Sequence, residues 1–281
     1  MSSLYLVQQG TRLSKEQSRF VLNPLREEAL EVPIREVDRI LVFGNIQLTS
    51  AVIGTCLELQ IPVVFLSQMG EYKGHLWSAE SADLVVESAQ FRRQGDEEWR
   101  RAVARQIVKG KLWNSKQLLL RLNRKHRHDH IADDIRFIVD QLEAVDRCDH
   151  TPTLDHMRGY EGAGAARYFA ALGKLITNPG FNFEHRIFHP PTDPVNSLLS
   201  FGYTLLYNNV FSLLLVEGLN PYLGNLHGAE RQKAYLAFDL MEEFRSPVVD
   251  TLVMKLVNQK IVRPTDFEWP SQSGGVYLTS T

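Results

Sequence analysis

The hydrophobic pattern of this chain of 281 residues changes its period near residue 85. Before that point, short β-branched and aromatic runs are separated by Gly, Asn and Pro, a pattern typical of strands. Beyond it, apolar residues recur at three- and four-residue spacing over long stretches, which is typical of helices. The pattern therefore predicts an α+β chain of two domains. Residues 1–85 form a small N-terminal β-sheet domain with one helix, and residues 86–281 form a larger, mainly α-helical C-terminal domain.

The expected elements follow from the same pattern. Thr49 is the predicted N-cap of the one N-terminal helix, which carries Val52 and Cys56 on its apolar face. The Val-Tyr-Leu triplet at 276–278 is compatible with a strand. The predicted N-terminal strands are 4–7, 20–22, 40–43 and 62–66, and the predicted C-terminal helices are 104–122, 133–145, 162–176, 194–216 and 231–257.

Several classes of protein are disfavoured by the sequence. Tyr203 and two asparagines interrupt the apolar stretch 198–216, which indicates a buried helix rather than a membrane span. The N-terminus lacks the basic, apolar and small-residue pattern of a signal peptide, so we expect a cytoplasmic protein. Cys56 and Cys148 are the two cysteines, and their spacing argues against a disulfide framework or a cysteine-based zinc site.

Charge is unevenly distributed along the chain. The net charge is −2, which argues against a protein that coats nucleic acid nonspecifically. Residues 91–130, however, contain 12 Lys or Arg and 4 Asp or Glu, a local net of +8 that leaves −10 for the rest. Such a segment suits contact with a DNA backbone. The candidate DNA-binding residues are Arg105, Lys109, Lys116, Arg121, Arg124 and Lys125.

The first candidate for chemistry is Glu161, in the segment LDHMRGYEGAGAARYF at 154–169. Glycines 159, 162 and 164 surround it and would let DNA or another backbone approach the carboxylate. Alternatively, Glu161 complements the positive end of a helix that starts there, and the small residues allow helix packing. Judged by the residues alone, the second interpretation is favoured.

A second set of candidates lies further along the chain. His227 lies at the end of a turn-rich segment, GLNPYLGNLHG at 218–228. It either ligates a metal or is a surface residue that hydrogen-bonds within the turn. Asp239 and Glu242 are three residues apart and share one helix face. Carboxylates with one imidazole suit Mn²⁺ or Mg²⁺. The alternative is a solvated acidic face.

A third cluster contains His126 and His130 at helical i, i+4 spacing, with acidic neighbours that include Asp133 and Asp134. Its residue types are compatible with a metal, but they match no complete ligand pattern. We interpret it as a solvated basic helix end.

Four ordered blocks resemble a known family: GYEGxxxxxYF around Glu161, DPVNSLLSFGYTLLY from Asp193, GLNPYLGNLH ending at His227, and AFDLMEEFRSPVVD from Ala237. The family is the CRISPR-associated integrase that acquires spacers. Further similarity lies in QIVKGKLWNSKQLLLR from Gln106 and DRILVFGNIQLTS from Asp38. Four blocks in one order are far more specific than any single metal motif.

The resemblance implies a metal-dependent DNA endonuclease and integrase. Glu161, His227 and Glu242 would be its catalytic metal ligands for Mg²⁺ or Mn²⁺, and Asp239 either supports them or replaces one of them. It further implies a homodimer, formed through the N-terminal domain, that binds double-stranded DNA together with the small ferredoxin-like CRISPR-associated protein two. Family members usually continue past the GGVYL element, so ending at Thr281 is expected to affect DNA grip or stability.

The expected reaction is attack by a DNA 3′-hydroxyl on a phosphodiester of the repeat array. Two other functions are compatible with the same residues. One is a hydrolytic metal-dependent nuclease that transfers no strands. The other is a noncatalytic DNA-binding scaffold that uses the basic segment.

Overall fold

The chain forms two compact units in the computed structural model. One unit comprises Met1–Ser88 together with Ser212–Leu219, and the other comprises Ala89–Phe211 and Asn220–Thr281. The change of hydrophobic period predicts a boundary between residues 85 and 86. The structure describes residues 2–25, 28–68, 70–76, 84–124, 131–147, 153–187, 190–228, 233–269 and 274–279.

The first unit contains two four-stranded sheets rather than one. The strands are β1 (Ser2–Leu6), β2 (Arg12–Glu16), β3 (Arg19–Asn23), β4 (Leu30–Pro33), β5 (Val37–Phe43), β6 (Gln47–Leu48), β7 (Val63–Leu66) and β8 (Tyr72–Leu76). One sheet has the order β1-β5-β7-β8, with β1, β5 and β7 parallel and β8 antiparallel to β7. The other has the order β4-β3-β2-β6, antiparallel except for the parallel pair β2 and β6.

Helix α1 (Ser50–Glu58) lies wholly within this β-rich unit. Thr49 is its N-cap as predicted, because Thr49 Oγ1 accepts a hydrogen bond from the backbone N–H of Val52 at 3.4 Å. Burial raises the pKa of the Cys56 thiol to about 11, so it remains protonated at neutral pH. Cys148 lies outside the described residues. The main buried core residues are Leu6, Leu13, Phe20, Ile34, Val37, Ile40, Val42, Val52, Cys56 and Val63.

Helices dominate the rest of the chain, which confirms the predicted α+β fold class. They are α2 (Leu84–Gln94), α3 (Glu97–Asn123), α4 (Ala132–Arg147), α5 (Leu154–Lys174), α6 (Pro194–Val216), α7 (Tyr235–Met241) and α8 (Thr251–Asn258). Helices α3, α4 and α5 pack against one another. A short antiparallel pair of strands, β9 (Phe267–Glu268) and β10 (Tyr277–Leu278), includes part of the triplet proposed as a strand.

Helix α5 begins eight residues before its predicted start at Gly162. Thr153 Oγ1 accepts the backbone N–H of His156 at 3.3 Å, and His156 Nδ1 accepts the backbone N–H of Thr153 at 3.3 Å. This capping box satisfies two N–H groups of the first turn. Glu161 therefore lies about two turns inside the helix, and its interpretation as a charge at the helix N-terminus is wrong.

The predicted long helix over 231–257 is divided into several pieces. After α7, the chain tightens into a 3₁₀ turn at Glu242–Phe244 and then widens into a π-helical turn at Arg245–Asp250. Pro247 within the wide turn has no N–H to donate to a regular helical ladder. Glu242, Ser246 and Asp250, each four residues from the next, lie on the buried side of these turns. Arg231 lies outside the described residues.

Helix α6 is both long and strongly apolar. Residues Pro194–Leu215 are long and apolar enough to cross a membrane by composition alone, and 44% of the most apolar window is buried within the structure. A Cβ added at Gly202 would lie 2.5 Å from Val249 Cγ1, so the side chain of Val249 in the π-helical turn packs directly against the α6 backbone. This packing agrees with the predicted buried helix.

Candidate active site

Three charged side chains from separate elements meet in the helical unit. Lys111 of α3 places its Nζ 2.6 Å from Glu242 Oε2, at the start of the 3₁₀ turn. The same ammonium forms an ion pair with Glu161 Oε1 from the middle of α5. Lys111 is 8% exposed and Glu242 is 4% exposed, so both charges are shielded from water. Two of the three predicted metal ligands thus converge on one cationic nitrogen.

Electrostatics keep this cluster ionised. Burial alone would raise the pKa of Glu242, but Lys111 and Arg245, with a further contribution from His227, lower it below its ordinary value. Burial alone would lower the pKa of Lys111, but Glu242 and Glu161 raise it above its ordinary value. Arg245 Nη2 lies 3.1 Å from Glu242 Oε1. Glu242 is therefore a buried carboxylate held between two cations.

His227 is held by a different carboxylate. Its Nδ1 lies 2.6 Å from Asp239 Oδ1. Fully buried Asp239 also accepts the backbone N–H groups of Asn225 at 2.6 Å, Leu226 at 2.8 Å and His227 at 3.1 Å. Both oxygens of Asp239 are thus engaged in folding the loop, so the geometry favours a supporting role over that of a substitute ligand. Its contact with Nδ1 orients the imidazole and leaves Nε2 for another partner.

The donor atoms fit a divalent cation, although the structure does not assemble them around one point. Among the described residues, no three His, Cys, Asp or Glu side chains are close enough together to hold a metal ion. Glu161 and Glu242 share the ammonium of Lys111, while His227 contacts Asp239. Among the described residues, the buried Glu242 Oε2 has the Lys111 ammonium as an ion-pair partner but accepts no hydrogen bond. Carboxylate oxygens with one imidazole nitrogen suit Mg²⁺ or Mn²⁺.

The glycines around Glu161 divide into two kinds. A Cβ at Gly164 would lie 2.3 Å from Leu112 Cδ2, so this residue lets α5 pack closely against α3. A Cβ at Gly159 or Gly162 would meet no described atom within 4 Å. The packing interpretation therefore holds for Gly164. The other two glycines leave open space beside the backbone of α5.

A second buried network adjoins Arg245. Asp250 accepts hydrogen bonds from the hydroxyls of Tyr168 and Tyr203, each at 2.6 Å. The guanidinium carbon of Arg245 lies 4.8 Å from the centre of the Tyr203 ring. Burial raises the pKa of Asp250 to about 6, although the two tyrosine hydrogen bonds and the nearby cations oppose the increase. Arg245, one of the two cations beside Glu242, is thus itself held by a contact with a buried tyrosine.

The raised pKa of Asp250 predicts a pH-dependent stability. Its contribution is complete below the ordinary pKa of 3.8 and is lost as the pH rises through about 6. Between about pH 4 and about pH 7, the free energy of unfolding of the wild type should fall by about 2 kcal/mol relative to Asp250→Asn. Urea unfolding of both proteins across this range measures the difference. A difference that does not change with pH would contradict the raised pKa.

Sequence reasoning missed Lys111 as a member of the site, although a signal was present. The buried residues of α3 include Ile107, Val108, Leu112 and Leu119, and Lys111 lies on the same helical face. A lysine at a core position of an amphipathic helix requires a buried anionic partner. The later blocks of sequence supplied two acidic candidates for that partner, Glu161 and Glu242.

Several of the predicted DNA-binding residues already have partners within the chain. Lys109 Nζ lies 2.6 Å from Asp146 Oδ1, across from α3 on α4. Lys116 Nζ lies 3.7 Å from the centre of the Trp113 ring, which is itself 49% exposed. Both side chains remain partly exposed, so a phosphate has access to their charges.

The remaining basic candidates lie toward both ends of α3. Arg121 donates to Thr251 Oγ1 at 2.5 Å, and Arg124 is exposed at the end of the helix. Arg105 is partly buried. Lys125 and residues 126–130 of the histidine cluster lie outside the described residues. Asp134 of that cluster is buried, with Lys174 Nζ at 2.8 Å, so it is not a solvated residue.

Comparison with known proteins decides which family this fold and this cluster represent. Residues 4–281 match the family model described as CRISPR associated protein Cas1. The chain belongs to the Cas1 family. The protein named CRISPR-associated endonuclease Cas1 2 from Rhodospirillum rubrum is 32% identical over 289 residues, which cover 99% of this chain and 82% of that relative. The predicted family membership is therefore confirmed.

Two solved structures share the Cas1 fold with this chain. A chain of a Cas6-RT-Cas1–Cas2 complex aligns with a TM-score of 0.79 and 23% identity, covering 99% of this chain and 30% of that one. A casposase bound to integration product aligns with a TM-score of 0.77 and 24% identity, covering 100% of this chain and 79% of that one. At such identities, the likeness concerns the fold.

Proposed function

We propose that this Cas1-family chain is a divalent-metal-dependent DNA endonuclease and integrase that inserts spacer DNA into a CRISPR repeat array. The observation that carries the proposal is the convergence of Glu161 and Glu242, from two separate elements, on one shielded cation position. The endonuclease name of the Rhodospirillum rubrum relative and the integration product bound by the casposase support it.

Glu161, Glu242 and Nε2 of His227 would hold the cation. When bound, Mg²⁺ or Mn²⁺ would supply Lewis-acid stabilisation of the charge that develops on the phosphate and on the leaving oxygen. Asp239 orients the imidazole of His227 through Nδ1, and Arg245 holds one oxygen of Glu242 in place. These contacts fix the donor atoms before DNA binds, which reduces the reorganisation required during the reaction.

Strand transfer exchanges one phosphodiester bond for another. The 3′-hydroxyl oxygen of the incoming strand bonds to phosphorus, the 3′-oxygen of the repeat strand leaves, and a proton passes from the first oxygen to the second through solvent. Water in place of the 3′-hydroxyl gives hydrolysis, and hence nuclease activity. The protein holds the reacting groups in line, which lowers the entropic cost of bringing them together.

DNA would be held by the basic residues of α3 and of the segment that follows it, Arg105, Lys109, Lys116, Arg121, Arg124 and Lys125. Their phosphate contacts require charge and reach, without a code for reading bases. The protein would act in the cytoplasm as a homodimer together with the small ferredoxin-like CRISPR-associated protein two. The related complex that contains Cas1 and Cas2 supports this partner.

A plasmid integration experiment tests the proposal. The protein and its small partner are incubated with Mn²⁺ or Mg²⁺, a supercoiled plasmid carrying the repeat array, and a labelled duplex oligonucleotide with free 3′-hydroxyls. We expect label joined covalently to plasmid, and no joining with a 3′-dideoxy oligonucleotide or with EDTA. Cleavage without joining would instead establish a hydrolytic nuclease. DNA binding without cleavage or joining would establish a noncatalytic scaffold.

A further inference from the structure

The ammonium of Lys111 occupies the position between the two acidic ligand candidates. Its Nζ contacts Glu161 Oε1 and lies 2.6 Å from Glu242 Oε2, and the lysine is almost completely buried. Two carboxylates this close would repel each other if no cation lay between them. Arg245 contacts only the other oxygen of Glu242, so Lys111 is the cation that bridges the pair.

We propose that Lys111 is a positioning residue whose ammonium acts as a tethered counter-cation, holding the Glu161–Glu242 pair together until a divalent cation displaces it. The inference rests on the proposed function, since it concerns the same metal site. A divalent cation and the ammonium cannot share the same carboxylate oxygens at contact distance, so binding of one requires withdrawal of the other. Metal binding is thus an exchange of cations rather than the filling of an open site.

The exchange has two consequences of opposite sign. Without metal, Lys111 stabilises the fold, because removing one partner of a buried ion pair leaves charge uncompensated. With metal, Lys111 weakens the apparent affinity, because the ion pairs must be broken first. A purely structural lysine would show only the first effect. If Lys111 instead helped to bind the metal, removing it would weaken the metal affinity.

Lys111→Met tests the inference, because methionine retains an unbranched side chain without the charge. Mn²⁺ binding to the full chain is measured by the electron paramagnetic resonance signal of free Mn²⁺, and melting is followed with and without Mn²⁺. We expect Lys111→Met to melt at a lower temperature than the wild type without metal, and to bind Mn²⁺ at least about tenfold more tightly. Lys109→Met, on the same helix but with an exposed ion pair, should change the affinity less than about twofold.

Each outcome separates this inference from the proposed function. Equal or weaker Mn²⁺ binding by Lys111→Met overturns the counter-cation role while leaving a metal-dependent enzyme in place. If the wild type binds no Mn²⁺, or binds it equally well after Glu161→Gln, the proposed metal site itself fails.

A second measurement uses the wild type and remains informative if Lys111→Met does not fold. Acetic anhydride acylates accessible amines, and peptide mass spectrometry compares Lys111 with Lys109. Without metal, buried Lys111 should react much more slowly than Lys109. Mn²⁺ should increase the ratio of Lys111 to Lys109 acylation severalfold in the wild type, but not in Glu161→Gln. If Mn²⁺ does not change the ratio of Lys111 to Lys109 acylation in the wild type, the proposal that the metal displaces the ammonium is overturned.

Discussion

Under the proposed function, Glu161→Gln is expected to lower the rates of strand transfer and DNA cleavage by at least about 1,000-fold. A glutamine preserves the shape of the side chain but removes one of the two negative charges that converge on the cation position. Loss of a charged metal ligand removes several kcal/mol of stabilisation at the reacting phosphate, and each 1.4 kcal/mol corresponds to about tenfold in rate. Single-turnover integration with excess enzyme measures the effect.

The matched control is Asp155→Asn, on the same helix α5. Its carboxylate is 84% exposed and pairs only with Arg158 among the described residues, so we expect activity within about twofold of the wild type. DNA affinity and its salt dependence should be nearly unchanged in both variants, because phosphate contacts dominate DNA binding. Wild-type rates in Glu161→Gln would remove this residue from the site. A parallel loss of DNA affinity would indicate a binding role instead.

Gly173→Ala is expected to have the largest effect on stability. A Cβ at this position would lie 2.1 Å from the backbone oxygen of Phe183, a residue that is 5% exposed. The Phe183 ring also packs edge-on against Phe169, with ring centres 6.2 Å apart. Relief of the clash requires movement of buried backbone, so we expect the free energy of unfolding to fall by about 3 kcal/mol. Urea unfolding at neutral pH measures the loss.

Gly159→Ala provides the control, since Gly159 is another glycine of helix α5. Its added Cβ would meet no described atom within 4 Å. Alanine favours the helix over glycine, so we expect a gain of about 0.5–1 kcal/mol. If both variants change stability in the same direction, the close approach of Phe183 to α5 is not what constrains residue 173.

Strands and helices were predictable where the spacing of apolar residues matched a single type of element. Strands β5 and β7 were expected from their β-branched and aromatic runs, which the structure buries. Thr49 was expected to cap α1, and it does. Strand β2 was not predicted, because its sequence RLSKE exposes most of its side chains and only Leu13 is fully buried. Pairing with β3 and β6, rather than local propensity, makes it a strand.

The start of α5 was misplaced for a different reason. Glycine disfavours helix, and with Gly159 just upstream the pattern indicated a start only at Gly162. The Thr153 capping box and the packing of α5 against α3 and α4 override that local preference. The single helix predicted over 231–257 is also interrupted, by a 3₁₀ turn and a π-helical turn. Glu242 and Asp250, which belong to these turns, are both buried.

The sequence by itself determined the two structural regions, the amphipathic faces and, through its ordered blocks, the Cas1 family and the candidates Glu161, His227 and Glu242. Only the tertiary structure decided that Lys111 bridges the two carboxylates and that Asp239 holds His227. The reason is physical: hydrophobic periodicity is local and can be read along the chain. The partner of a buried charge depends on which helices pack together, and Lys111 lies 50 positions from Glu161.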